Sequence, residues 1–151
     1  MVTRSCTTVE ETRALGEQLA AVAEADDVII LNGDLGAGKT QFAKGVAAGL
    51  GVDDDVTSPT FNILLEYVGR ELPLLHFDLY RLEEAEELDD IDFFGVLESG
   101  GVCLVEWGDK FPSALPEDRL DIGIYVEDDG TRRVEAQGHG PRGAVLEAAL
   151  A

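Results

Sequence analysis

An apolar run, Val28-Ile29-Ile30-Leu31, opens almost directly onto Gly33-Asp34-Leu35-Gly36-Ala37-Gly38-Lys39-Thr40, and helix-compatible sequence follows from Gln41 to Leu50. No other feature limits the fold as much as that order. The octapeptide fits G-x-x-x-x-G-K-[ST], the phosphate-binding P-loop, which requires a strand before it and a helix after it. Its glycines let successive backbone N–H groups curl around a polyphosphate, and the next helix turns its positive end toward the same charge. Lys39 is expected to reach the β- and γ-phosphates and the Thr40 hydroxyl to ligate Mg²⁺. With this chain's residue frequencies, a chance match to the pattern comes to about 0.3%. The backbone of Gly33, Asp34, Leu35, Gly36, Ala37 and Gly38, with Lys39, Thr40 and the adjoining Gln41, is therefore the predicted nucleotide-binding segment.

Around this loop the sequence predicts an α/β fold: a P-loop NTPase-like mixed β-sheet with helices on both faces, in one domain spanning residues 1–151. Thr8-Val9-Glu10-Glu11 has the form of a capping box and opens a helix with Val9, Leu15, Leu19 and Val22 at helical spacing, closed by Asp26-Asp27. Residues 27–32 read as a buried parallel strand, and 62–68 with 72–79 as a hairpin around Gly69-Arg70-Glu71. Residues 83–90 and 92–98 read as short helices, 102–106 as another apolar strand, and 109–118 as a Pro-containing loop. A second hairpin is expected from 120–127 and 132–137, then a last helix over 142–150. No repeat or linker divides the chain.

Phosphate binding alone performs no chemistry; hydrolysis needs acids. In this fold class they stand at the carboxyl ends of apolar strands beside the loop. Asp78 ends Leu74-Leu75-His76-Phe77-Asp78, and Glu106 ends Cys103-Leu104-Val105-Glu106. One is expected to hold Mg²⁺ and the other to orient the attacking water, so Thr40, Glu106 and Asp78 are the candidate metal-binding residues. Thr57, Ser58 and Thr60 form a hydroxyl-rich loop where GTPases carry a γ-phosphate-sensing switch. His76, Asp78 and Tyr80 share one strand face, leaving His76 as a packed or a functional histidine. Trp107 adjoins Glu106 and is either beside the nucleotide or in the core.

Composition narrows the partners. A formal charge of −20, with only three lysines, argues against a broad basic face for nucleic acid. No apolar stretch approaches the roughly 20 residues of a membrane helix, and the N-terminus lacks a signal-peptide core. Cys6 and Cys103 stand in no metal-like spacing and read as reduced thiols, so a cytoplasmic location is expected. No N-K-x-D motif reads guanine, and Asp92-Phe93-Phe94-Gly95 follows an acidic stretch, so its match to D-x-x-G is discounted. Arg132, Arg133 and Arg142 are too scattered for an arginine-rich kinase lid, which makes ATP the expected nucleotide.

Taken in order, the P-loop, Ser58-Pro59-Thr60-Phe61, His76-Phe77-Asp78-Leu79-Tyr80-Arg81-Leu82 and Val105-Glu106-Trp107 resemble the TsaE (YjeE) family. Those are P-loop ATPases of tRNA threonylcarbamoyladenosine biosynthesis, and the likeness covers nearly the whole chain. It implies ATP and Mg²⁺ as cofactors, slow hydrolysis without partners, and action on TsaB- and TsaD-like proteins, with tRNA met only through them. It further implies that Glu106 is the second Mg²⁺ ligand, Asp78 the hydrolytic acid, and Thr60 part of a switch-like loop. Trp107, Val9 and Arg132 match groups that approach the nucleotide in relatives, whereas Gln41 replaces a threonine common there. A nucleotide-gated interaction protein with incidental hydrolysis, and a small-molecule kinase, are the competing functions.

Overall fold

The computed structural model describes residues 1–34, 36–59 and 61–151, so Leu35 and Thr60 lie outside the described residues. Seven strands form one sheet in the order β1-β7-β6-β2-β5-β4-β3. They are β1 (Val2–Cys6), β2 (Val28–Gly33), β3 (Leu64–Tyr67), β4 (Leu74–Asp78), β5 (Val102–Glu106), β6 (Arg119–Val126) and β7 (Arg132–His139). The helices are α1 (Val9–Ala20), α2 (Lys39–Gly49), α3 (Glu87–Asp90), α4 (Phe93–Leu97) and α5 (Gly140–Ala149). Strands β6, β2, β5 and β4 run parallel, while β1–β7, β6–β7 and β3–β4 are antiparallel. The mixed α/β sheet and both expected hairpins are present.

Each face of the sheet has its own core. Leu15 and Leu19 of α1, Phe42 and Val46 of α2 and Leu146 of α5 pack on Ile29, Leu31, Leu104 and Ile122. On the opposite face, Leu88 of α3 and Phe93 and Leu97 of α4 cover Ile30, Phe77, Cys103 and Val105. Phe77 and Phe93 meet edge to face, with centroids 5.0 Å apart. β2, β5 and the end of β4 are buried on both sides, which is why their sequences are continuously apolar. The α1–α2 crossing is close because of its glycines: a Cβ on Gly45 would lie 2.0 Å from the Arg13 carbonyl oxygen, and one on Gly16 2.4 Å from that of Phe42.

Several local expectations are corrected. β1 is an additional strand, and it pairs with β7 across nearly the whole chain, Val2 opposite Ala136. α1 ends at Ala20, short of Asp26-Asp27, and β3 covers only four residues, so the turn to β4 is longer than three residues. The acidic helix over 83–90 shrinks to α3, a single turn, because only Leu88 of that helix has a core to enter. The loop over 109–118 contains two 3₁₀ turns, Gly108–Lys110 and Pro112–Ala114. Among the described residues, no helix is long and apolar enough to cross a membrane.

Candidate functional site

The carboxyl ends of β2, β5 and β4 finish in register: Leu31 lies opposite Glu106, and Glu106 opposite Asp78. Side chains leaving this row meet the P-loop as it turns into α2. Gly38 is the N-cap of α2 with φ at +111°, a conformation glycine enters without a steric penalty. Gly33 is fixed by crowding, since a Cβ there would stand 2.3 Å from the Ile124 carbonyl oxygen. Above the row opens a cavity of about 640 Å³.

Most residues singled out in the sequence line this cavity: Gly36, Gly38, Lys39, Thr40, Gln41, Asp78, Glu106, Trp107, Arg132 and Val9. Gly33, Asp34 and Ala37 lie behind or beside the lining, and Ala37 is fully buried. The expectations for Leu35 and Thr60 fall outside the described residues. Ser58 brings the hydroxyl-rich loop to the cavity wall. Gln41 has a local partner, accepting from Arg13 Nε at 2.8 Å, so its side chain ties α2 to α1. Arg132 donates from Nε to the Ala37 carbonyl at 2.9 Å and clamps β7 onto the P-loop.

Charge concentrates at Glu106 and Lys39, both almost fully buried. Lys39 Nζ stands 3.9 Å from Glu106 Oε1 and 4.9 Å from the Trp107 ring centroid. That separation is an attraction at a distance, longer than a charge-assisted hydrogen bond of 2.7–2.9 Å. Glu106 Oε2 instead accepts from His76 Nε2 at 2.7 Å, with His76 fully buried. Asp78, also buried, accepts the Tyr80 N–H at 2.9 Å on Oδ1. Trp107 is half-buried, adopts φ +62° and stacks obliquely on Tyr80 with centroids 5.0 Å apart. A left-handed backbone at a bulky residue is costly, and here it turns the indole from the end of β5 back over Lys39.

The donors converging here are a hydroxyl and two carboxylates, an all-oxygen set suited to a hard divalent cation. Among the described residues no group of three His, Cys, Asp or Glu side chains makes a metal cage. That arrangement fits Mg²⁺, which is commonly held by one or two carboxylates together with substrate phosphates.

Of the other cavity wall, only Val9 was anticipated from the sequence. Cys6, Thr7, Thr8 and Thr12 contribute to it from the β1–α1 junction. The Thr8 hydroxyl caps α1 by accepting from the Glu11 N–H at 3.1 Å, as the capping pattern requires. Glu11 reaches back one residue further than a simple capping box, accepting from the Thr7 N–H at 2.6 Å, and these bonds hold its carboxyl below the usual range. Burial pushes the Cys6 thiol up, so that wall presents a neutral thiol.

Comparison with known proteins gives a consistent picture. The family model described as threonylcarbamoyl adenosine biosynthesis protein TsaE matches residues 6–134. The tRNA threonylcarbamoyladenosine biosynthesis protein TsaE of Bacillus subtilis is 44% identical over 91% of this chain and 85% of its own length. That of Treponema pallidum is 42% identical over 83% of this chain and 92% of its own. The crystal structure of Bacillus subtilis YdiB superposes with a TM-score of 0.83 at 39% identity, covering 99% of this chain and 93% of that one.

Proposed function

The chain belongs to the TsaE family, and from that premise we propose that it is a Mg²⁺-dependent ATPase serving tRNA threonylcarbamoyladenosine biosynthesis, acting on TsaB- and TsaD-like partners. The observation that carries this reading is the meeting of Lys39, Thr40, Asp78 and Glu106 on one cavity at the ends of parallel strands. ATP is assigned over GTP because no guanine-reading motif stands in the chain.

Each residue has a role it can fill from its present place. The N-terminus of α2 and its preceding backbone N–H groups receive the phosphates, and Lys39 swings from its perch over Trp107 to the β- and γ-oxygens. The Thr40 hydroxyl and Glu106 would hold Mg²⁺, whose charge would neutralise that developing on the transferred phosphoryl group. Asp78, beside Glu106 in register, orients the attacking water or the metal's water shell. Trp107 lines the site beside Lys39. Among the described residues only Lys39 and Arg132 bring positive charge to the cavity lining, and the net charge of −20 disfavours direct tRNA contact. Slow hydrolysis alone, accelerated by protein partners, is the expected behaviour.

Calorimetric titration with ATP and GTP, with and without Mg²⁺, followed by phosphate release with and without TsaB and TsaD, tests the proposal. Selective Mg–ATP binding with partner-stimulated release is expected. Phosphate appearing on an acceptor and not in solution would make the protein a kinase. In Asp78→Ala with ATP affinity retained, tRNA modification should fall with hydrolysis. Modification at the full rate without hydrolysis would leave only a nucleotide-controlled docking protein.

A further inference from the structure

His76 is a buried polar side chain to which the nucleotide reading gives no task. It sits inside β4, in register with Leu65 on β3 and Leu104 on β5, and is fully enclosed. A leucine there would pack without any polar group to satisfy. The imidazole makes one directed bond, Nε2 to Glu106 Oε2 at 2.7 Å, and its buried Nδ1 has no hydrogen-bond partner among the described residues. An ionised carboxylate can only accept, so Nε2 carries a hydrogen, and Nδ1 of a neutral ring is then an unpaired acceptor. Burying an unpaired acceptor is unfavourable, so stability alone is a poor account of a histidine here.

The bond also explains the stand-off between Glu106 and Lys39. Glu106 has rotatable side-chain torsions, and its opposite charge draws it toward the lysine across the cavity. Yet Oε1 stays 3.9 Å from Nζ. We propose that His76 is a positioning residue: by holding Oε2 it keeps Glu106 from collapsing onto Lys39 and presents Oε1 to the cation-binding side of the cavity. This rests on the Mg–ATP reading above and adds a residue to it. Partners that orient a metal's ligands commonly change metal affinity or activity by 10–100-fold when removed.

Three variants and one spectrum test it. His76→Leu should raise the Mg²⁺ concentration for half-maximal hydrolysis about tenfold or more and lower kcat, with nucleotide affinity in the absence of Mg²⁺ held within about threefold. His76→Gln, whose amide nitrogen lies as many bonds from Cα as Nε2, should recover most of the loss. His76→Asn, one bond shorter, should not. Equal behaviour of the Gln and Asn variants, or a wild-type Mg²⁺ requirement in the Leu variant, would overturn the proposal. If the Leu variant fails to fold, the Gln–Asn contrast still decides. In the nucleotide-free protein, imidazole ¹⁵N spectra should show His76 as the Nε2–H tautomer with a protected proton, exposed to exchange in Glu106→Ala. The Nδ1–H tautomer would refute the bond itself. A wild-type protein that binds no Mg–ATP would defeat the nucleotide reading, and the metal half of this proposal with it, while the spectrum reports separately on the bond.

Discussion

Two almost fully buried carboxylates mark the two ends of β2, and each has a cation, yet the pairs are built differently. Just before the strand, Asp27 is saturated: Arg142 donates from Nε at 2.9 Å to Oδ1 and from Nη2 at 2.7 Å to Oδ2, and the Glu24 N–H adds a bond at 2.7 Å. Asp27 in turn holds the Arg142 guanidinium above its already high ordinary value. Toward the other end, opposite Leu31 on neighbouring β5, Glu106 has one firm bond, to His76, and its lysine stands at 3.9 Å across an open cavity. A closed, bidentate pair ties α5 to the sheet and is fully occupied as structure. A pair held apart beside a cavity keeps its charges available for something that arrives. Buried charge alone distinguishes neither; the geometry around it does.

The sharpest way to break the comparison is to remove the cation from each. Lys39→Ala should abolish measurable ATP hydrolysis and weaken nucleotide binding at least 100-fold, while thermal unfolding moves little, since Lys39 contributes no close pair. A large loss of stability would mean the open pair is structural after all. Conversely, Asp27→Ala leaves Arg142 only Glu24 and the Val22 carbonyl and should cost about 2 kcal/mol of stability, on the order of 6 °C in Tm, with nucleotide affinity unchanged. Glu106→Gln comes next: hydrolysis should drop at least tenfold, with stability altered by less than about 1 kcal/mol. A further effect concerns alkaline pH near the closed end. Burial, with a lesser push from Asp26, raises the Cys103 thiol from its ordinary value near 9 to about 12. The unfolded chain therefore releases a proton that the folded one keeps, so stability falls between pH 9 and 12 by up to about 1.4 kcal/mol per unit. Denaturation of Cys103→Ala across that range should lack this component; an identical slope would reject the assignment.

What the sequence disclosed follows from range. The P-loop, its strand and its helix are consecutive, so motif and period speak from one stretch. Asp78 and Glu106 were legible because each closes an apolar strand, and parallel pairing of β4 with β5 then sets them side by side. The two hairpins announced themselves through glycine turns. β1 did not, because Val2–Cys6 is a short edge strand whose pattern has meaning only beside β7. With it went the wall of the cavity at Thr7, Thr8 and Thr12: the helix cap was visible in the sequence, but not where the sheet would place it. Asp27 and Arg142 are separated by 115 residues, and neither stretch names the other. His76 was visible as a face-sharing residue, while its partner on a different strand was not.

The place of β1 in the sheet also bears on how the protein is made. Val2–Cys6 leaves the ribosome well before Arg132–His139, the distant strand it pairs with. The β1–α1 wall of the cavity can therefore settle only once β7 has emerged, long after the P-loop. Pairings of such sequence separation are slow to form because the intervening loop must close first. A nascent chain without β7 thus carries a phosphate loop without a finished pocket, and nucleotide binding is expected to begin once β7 is paired.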